Sequence, residues 1–267
     1  MNRRLSLVAA LALVLGAAAA ADEPPRLESL LAMDAGAGHA VSVSFEDDQR
    51  RRAMATAARA FGAQAGLKRR GWEIAGILGR YAPQLHRIYR FRDLMLRESG
   101  FMVQPPVLAE TREAFRLARD HHAAASAGRV VTIMAPERIV SAVPTWRHYL
   151  ERAWPDPAPP ADVLFPRTDE EEDLWRTELA AGWEAGSRLA DEIFADDLLR
   201  LNGVFTGLVL WHRLHLAGMV TTPDVGTREV AVAGGGATLR IAERFIAIDQ
   251  AAALVADPGA WRAVVTP

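Results

Sequence analysis

The chain has 267 residues, with 31 Lys and Arg against 33 Asp and Glu, which gives a formal net charge of −2. Half of the residues are hydrophobic, so one substantial domain, or a domain with extensions, can bury its own core. The absence of cysteine excludes a disulfide framework and a lipid-carrying cysteine, and the charge is not typical of a nucleic-acid-binding protein.

The N-terminus has the order of a secretory signal peptide. Arg3 and Arg4 precede an apolar stretch, residues 5–15, and small residues follow as far as Ala21. We therefore expect a signal peptide over residues 1–21, cleaved after Ala21. The apolar stretch is shorter than the roughly 20 residues that a membrane-spanning helix needs, so we expect no transmembrane helix in the mature chain. Loss of the two arginines takes the formal net charge from −2 to −4.

Composition predicts an arm and then a domain. Residues 22–45 contain prolines and glycines and no sustained hydrophobic period, which predicts an extended N-terminal arm before a domain over 46–267. The composition of residues 46–67 predicts a helix, with acidic residues at its N-terminal end. Gly66 and the basic cluster that follows it predict the C-terminal end of this helix.

The middle of the chain gives weaker signals. Residues 72–96 are ambiguous between helix and strand, because Pro83 breaks a helix and several later residues favour strands. Composition then predicts a helix over 110–125 and a strand over 129–134. The proline-rich stretch 155–166 predicts irregular structure.

The clearest predicted helix begins at Thr168. Thr168 and Glu171 fit a capping box, in which side chains satisfy the free N–H groups of the first turn, so we expect a helix over 168–194. Large apolar and small residues recur on one side of it: Trp175, Leu179, Gly182, Gly186, Ala190 and Ile193. The small residues allow a neighbouring backbone to approach closely, either in the core of the same chain or across an intersubunit contact.

The C-terminal third predicts a helix followed by a hairpin. A second apolar helix is expected over 198–216, and its charged and polar residues exclude a membrane span. Two alternating runs, 230–232 and 239–248, are joined by glycines, which predicts a β-hairpin. A phosphate-binding loop is the competing interpretation of Gly234-Gly235-Gly236, but no Gly-Lys-Ser/Thr ending and no helix follow it.

The sequence carries none of the common catalytic motifs. The sequence has no Gly-x-Ser-x-Gly elbow and no His-Glu-x-x-His motif. His121 and His122 would point about 100° apart on a helix, and His212 with His215 has no third ligand nearby. The acidic run 169–173 is typical of a helix start rather than of paired catalytic carboxylates. We therefore expect no catalytic, cofactor-binding or metal-binding residue, no cofactor and no enzyme activity.

Short runs of aromatic and small residues occur in a fixed order along the chain. They are Phe61-Gly62-Ala63-Gln64-Ala65-Gly66-Leu67, Gly100 with Gln104-Pro105-Pro106-Val107, Thr145-Trp146-Arg147-His148-Tyr149-Leu150, Gly182-Trp183-x-x-Gly186, Ile193-Phe194, Leu198-x-Arg200-Leu201, Gly218-Met219-Val220 and Val232-x-Gly234-x-Gly236. Their order and spacing resemble the DotC family of type IVB secretion systems, the counterpart of TraI in IncI-type conjugation systems. The resemblance covers roughly residues 50–249.

The resemblance implies a non-catalytic structural subunit of a type IVB secretion or conjugation core complex. It places the chain in the periplasm at the outer membrane, with DotD-like and DotH-like partners in a multimeric ring complex, where it helps to assemble or localise the DotH-like ring. Family members are typically lipoproteins, and this sequence has no lipobox cysteine, so we expect association with the outer membrane through partners.

The expected fold is α+β: a helix-rich single domain with a small antiparallel β-hairpin near the C-terminus. The alternative function is a soluble periplasmic ligand-binding protein or an enzyme of unknown substrate. A ligand-sized pocket with converging polar groups would favour that alternative, and exposed aromatic patches would favour the subunit. No direct contact with nucleic acid is expected, because the charge balance does not favour it.

Overall fold

The computed structural model describes residues 23–33, 47–98, 100–117, 124–235 and 237–262. Two long helices, α2 (Asp47–Ile88) and α4 (Asp169–Leu216), form its framework. At the rise of an α-helix they are roughly 60 and 70 Å long. The predicted signal peptide lies outside the described residues, as does most of the predicted arm.

The two long helices lie side by side and run in the same direction. Near their N-terminal ends, Arg50 of α2 pairs with Glu171 of α4 at 2.8 Å. Just beyond the C-terminal end of α2, the hydroxyl of Tyr89 donates to Oδ1 of Asn202 at 2.6 Å. Because the helices are parallel, the chain between residues 89 and 168 must return to the N-terminal end of the pair.

The hydrophobic core between the helices has two main parts. One lies at the N-terminal end of the pair and consists of Leu30, Met54, Ala58, Phe61, Ala65, Trp175 and Leu179. Leu30 belongs to a short helix, α1 (Leu27–Leu31), so the predicted arm is not wholly extended: its described part packs on α2 and α4. The second part lies at the C-terminal end, around Phe91, Trp146, Leu201 and Leu208.

Both long helices extend further than the sequence predicted. The expected end of the first helix at Gly66 is wrong, since α2 continues through Pro83 to Ile88. Gly66 serves the packing of α2 against Trp183 rather than helix termination. The helices expected over 168–194 and 198–216 are one continuous helix, α4, because no glycine or proline separates them.

A small antiparallel sheet follows α2 at the C-terminal end of the helix pair. Its strands are β1 (Leu96–Glu98), β2 (Phe101–Gln104) and β5 (Arg138–Val140), in the order β1–β2–β5. The short helix α3 (Trp146–Leu150) comes next in the chain and supplies the fully buried Trp146 to the core. This sheet and α3 pack against the C-terminal part of α4 around a shared hydrophobic core.

Two long β-ribbons join this end of the molecule. Ribbon A consists of β3 (Val107–Leu117) and β4 (Ala124–Ala135), and ribbon B of β6 (Asp224–Gly235) and β7 (Thr238–Gln250). Each is a separate two-stranded antiparallel sheet. The expected strand over 129–134 and the expected C-terminal hairpin are confirmed, and the fold is α+β as expected.

The expected helix over 110–125 is wrong. Its first eight residues continue β3, its last two begin β4, and residues 118–123 lie outside the described part of the chain. Packing against a distant part of the chain favours a strand over a helix here, because Val107 and Leu108 at the start of β3 pack against Gly207 of α4. Helix propensity is a weak preference that such tertiary contacts override.

Residues 151–168, here called the strap, form the return connection. Apart from a 3-10 turn at Asp162–Leu164 the strap has no helix or strand, which agrees with the irregular structure predicted there. Its backbone is held by α2: Lys68 donates to the carbonyl of Trp154 at 2.8 Å, and the N–H of Ala158 donates to Gln64 at 3.0 Å. The strap therefore runs back along α2 to the start of α4.

Candidate assembly interface

Four glycines form the contact between the long helices and are called the glycine seam: Gly62, Gly66, Gly182 and Gly186. A Cβ atom on Gly62 would overlap the carbonyl oxygen of Leu179, and one on Gly186 would overlap that of Ala63. The small-residue face predicted for α4 is therefore confirmed as a close helix contact. Because α2 of the same chain covers it, this face belongs to the core and not to an intersubunit contact.

The N-terminus of α4 is capped as the sequence predicted. The hydroxyl of Thr168 accepts the N–H of Glu171 at 3.3 Å, and the Glu171 carboxylate accepts the N–H of Arg167 at 2.8 Å. The acidic run 169–173 lies in the first turns of this helix. Its charges suit the partial positive charge of a helix N-terminus, which agrees with a helix start.

The histidines of α4 lie in the packing around Trp211. His212 donates from Nε2 to the carbonyl of Leu94 at 3.0 Å, and His215 lies within hydrogen-bond distance, 3.3 Å, of the carbonyl of Val220. Both rings contact Trp211, with centroids 4.9 and 5.0 Å away. These contacts tie two loops to the end of α4 and give both histidines a structural role. His121 and His122 lie outside the described residues.

In the described ranges, no group of three or more His, Asp or Glu side chains is placed to hold a metal ion. The most buried carboxylates have structural partners. Asp197 accepts two hydrogen bonds from Arg152 of the strap, both at 2.9 Å, and Glu137 accepts the N–H of Ala252 at 3.1 Å. These groups fix the strap and the C-terminal segment to the rest of the fold.

Ribbon B exposes apolar side chains and both of its outer strand edges. Ile241 is 72% exposed and Phe245 is 43% exposed. Across the ribbon, the guanidinium of Arg228 lies 5.3 Å from the centre of the Phe245 ring. In the described part of the chain each strand of ribbon B has only the other as its sheet partner. Unpaired edges with exposed apolar residues are typical of sites where another chain adds a strand or packs.

Ribbon A is anchored at its base and exposed further out. Leu108 is buried beside Trp211 of α4, whereas Val130 and Met134 on β4 are 38% and 67% exposed. The β3–β4 pair is also two-stranded. Both ribbons thus offer exposed apolar residues and open strand edges near the same end of the helix pair.

A groove of about 710 Å³ lies at the C-terminal end of α2 and is called the arginine groove. Its described lining contains Arg90, Arg92 and Arg97 and one acidic residue, Asp93. Arg90 pairs with Asp93 at 3.4 Å, whereas Arg92 and Arg97 have no ion-pair partner within 4 Å among the described residues. The groove is therefore positively charged and suits an acidic surface.

Strand β3 of ribbon A and the arginine groove were not predicted from the sequence, whereas part of β4 was. An alternation signal for ribbon A was present after Pro105-Pro106, but the Glu, Ala and Arg residues that follow are also good helix formers. The groove has no local signal, because only the fold brings its residues together. They come from the end of α2, from the 3-10 turn that follows it, from β1 and β2, and from the loop 141–145.

These features define a class of protein: a rigid helical framework that carries exposed β-ribbons, as expected for a component of a larger assembly. The family model described as type IV secretory system, conjugal DNA-protein transfer, and named for TraI, matches residues 48–263. The chain belongs to this family, as the sequence motifs predicted. None of the curated proteins matches the chain. In the described ranges no helix has the length and apolar character of a membrane span.

Proposed function

We propose that this chain is a non-catalytic structural subunit of a type IVB secretion or conjugation core complex. It acts in the periplasm at the outer membrane, where it helps to assemble or localise a DotH-like ring together with DotD-like and DotH-like subunits. Membership of the type IV secretion family supports a role in a multi-subunit complex. The finer assignment to the type IVB complex rests on the order of the sequence motifs.

The exposed ribbons are the observation that carries this proposal. A two-stranded ribbon in water is marginally stable, because it buries little apolar surface on its own. Ribbon B nevertheless presents Ile241 and Phe245 to solvent along a pair of 12- and 13-residue strands. Contact with partner subunits would cover these side chains and satisfy the open strand edges.

The rigid helix pair supports the same proposal. The glycine seam brings the backbones of α2 and α4 into contact, and Arg50 links the strap to both helices through the Val163 and Phe165 carbonyls and Glu171. A framework that resists bending holds the ribbons at fixed positions relative to each other. Such positioning is what a structural subunit of a symmetric ring must provide.

Co-purification from the native envelope tests the proposal. We expect the tagged chain to co-purify with DotD-like and DotH-like subunits encoded in the same genome. In cells that lack those subunits, it should be released from the periplasm with an N-terminus at Asp22, as mass spectrometry would show. Cytoplasmic fractionation with an intact Met1, or a stable envelope complex without either partner, would contradict the proposal.

A further inference from the structure

Three arginines from three elements converge on one carboxylate at the base of ribbon A. Glu110 of β3 accepts hydrogen bonds from Arg112 at 3.1 Å, from Arg129 of β4 at 2.8 Å and from Arg213 of α4 at 3.2 Å. The Glu110 side chain is only 12% exposed. Within the described part of the chain, no other carboxylate lies within 4 Å of these arginines.

Among the described residues, the cluster joins three arginines to a single carboxylate and so has a surplus of two positive charges. Arg112 and Arg129 are direct partners across the two strands, a position in which like charges destabilise a sheet. Each guanidinium has five N–H donors, and each uses only one of them on Glu110. The arrangement therefore retains both the charge and the hydrogen-bond donors to hold a second anion.

A cavity of about 340 Å³ opens beside these arginines. Glu110 and the three arginines form its polar side, and Leu214, Ala217 and Met219 line its other side. Leu214 and Ala217 are fixed in the fold, at 2% and 8% exposure. A ligand that fits this cavity carries a negative charge immediately beside an apolar group.

We propose that this cavity binds the free C-terminal carboxylate of a partner polypeptide whose last side chain is aliphatic. A terminal carboxylate and its own side chain branch from one Cα atom, so one residue can reach both the arginines and the apolar wall. Guanidinium groups bind carboxylates through paired, charge-assisted hydrogen bonds. The inference concerns the isolated chain and does not depend on the role proposed for it in a secretion complex.

Methyl NMR of the processed protein with labelled methionines tests the site, because Met219 lines the cavity. The probes are acetyl-Ala-Ala-Leu with a free carboxylate, its C-terminal amide, the amidated peptide acetyl-Ala-Glu-Leu, and inorganic phosphate. We expect the free acid to shift the Met219 signal saturably and the amide to leave it unchanged. Stronger binding of phosphate, or an equal response to the internal glutamate, would overturn the assignment to a C-terminus.

Two variants and a matched control distinguish specific binding in this cavity from non-specific attraction of the peptide to surface arginines. Arg213→Gln and Arg112→Gln should each weaken binding of the free acid about tenfold or more, since each removes a charge-assisted contact. Their side chains are 53% and 79% exposed, so both variants should fold. Arg188→Gln removes an exposed arginine from the same helix as Arg213 and should leave binding unchanged. Equal binding by all four proteins would overturn the proposal.

Discussion

The carbonyl oxygen of Ala63 on α2 occupies the space that a Cβ atom on Gly186 of α4 would take. Gly182 has the same relationship with the carbonyl of Arg59. The two longest helices are thus in direct backbone contact, without side chains between them. A contact of this kind fixes the distance between the helices and leaves little room for adjustment.

Gly186→Leu should destabilise the isolated protein by about 3 kcal/mol or more, because the added side chain meets backbone that cannot move aside. Denaturant unfolding of the isolated chain measures this loss. Gly203→Ala is the matched control on the same helix, since nothing lies within 4 Å of a Cβ atom there. It should stabilise the protein by up to about 1 kcal/mol. Equal stability of the Gly186 variant and the wild type would contradict the glycine seam.

Asp197→Ala should destabilise the protein by about 1–2 kcal/mol and loosen the strap near Arg152. Asp197 is 6% exposed and holds Arg152 through two hydrogen bonds, but the arginine itself is 45% exposed, so its charge remains partly solvated after the change. Hydrogen exchange at residues 151–155 measures the loosening. Asp196→Ala, which alters an exposed neighbour, is the control and should change neither property. Unchanged exchange in the Asp197 variant would contradict the anchoring role.

Local signals in the sequence were sufficient for some elements. The capping box at Thr168 fixed the start of α4, because the bonds involved lie within four residues. The spacing from Trp175 to Ala190 identified the buried face of that helix, and the C-terminal hairpin followed from alternation around glycines. Each of these features depends on near neighbours in the chain, which a single sequence reveals.

Features that depend on distant residues could not be predicted in the same way. Gly66 resembles a helix stop in isolation, but a Cβ atom there would overlap the carbonyl oxygen of Trp183, so this glycine serves the contact between the helices. Residues 110–117 have good helix formers, but their strand is fixed by pairing with β4 and by the space that Gly207 leaves. The parallel direction of the long helices has no signal in either helix alone.

Glu110→Gln should lower stability near neutral pH, and the difference from wild type should shrink in acid. Burial, the largest single effect, raises the pKa of Glu110, but hydrogen bonds and charge from Arg112 and Arg129 together outweigh it and lower that pKa. When the pKa of a carboxyl is lower in the folded than in the unfolded protein, the carboxylate stabilises the fold at any pH above its unfolded-state pKa, about 4.3. This stabilisation is lost as the pH falls through the lower, folded-state pKa. Denaturant unfolding at pH 7 and at several acidic pH values measures the difference. A difference that grows in acid would contradict the pairing.

His212→Ala should destabilise the protein by about 1–2 kcal/mol, because the Leu94 carbonyl loses its partner and Trp211 loses a ring contact. Thermal unfolding with and without zinc measures both the loss and any metal effect. We expect zinc to leave the melting temperature of wild type and variant unchanged. Tight zinc binding that disappears when His212 and His215 are both changed to alanine would show a metal site instead.

We propose that ribbon B joins this chain to its complex, and quantitative co-purification of ribbon variants measures that attachment. Ile241→Asp with Phe245→Asp should leave the melting temperature of the isolated chain near that of wild type, since both side chains are exposed. The same variant should lose at least about tenfold in recovery of DotD-like and DotH-like subunits, as expected when apolar anchors of an interface are removed. Leu199→Asp changes a 69% exposed leucine on α4 and is the control that should retain the partners. Full recovery of both partners by the ribbon variant would contradict the claim.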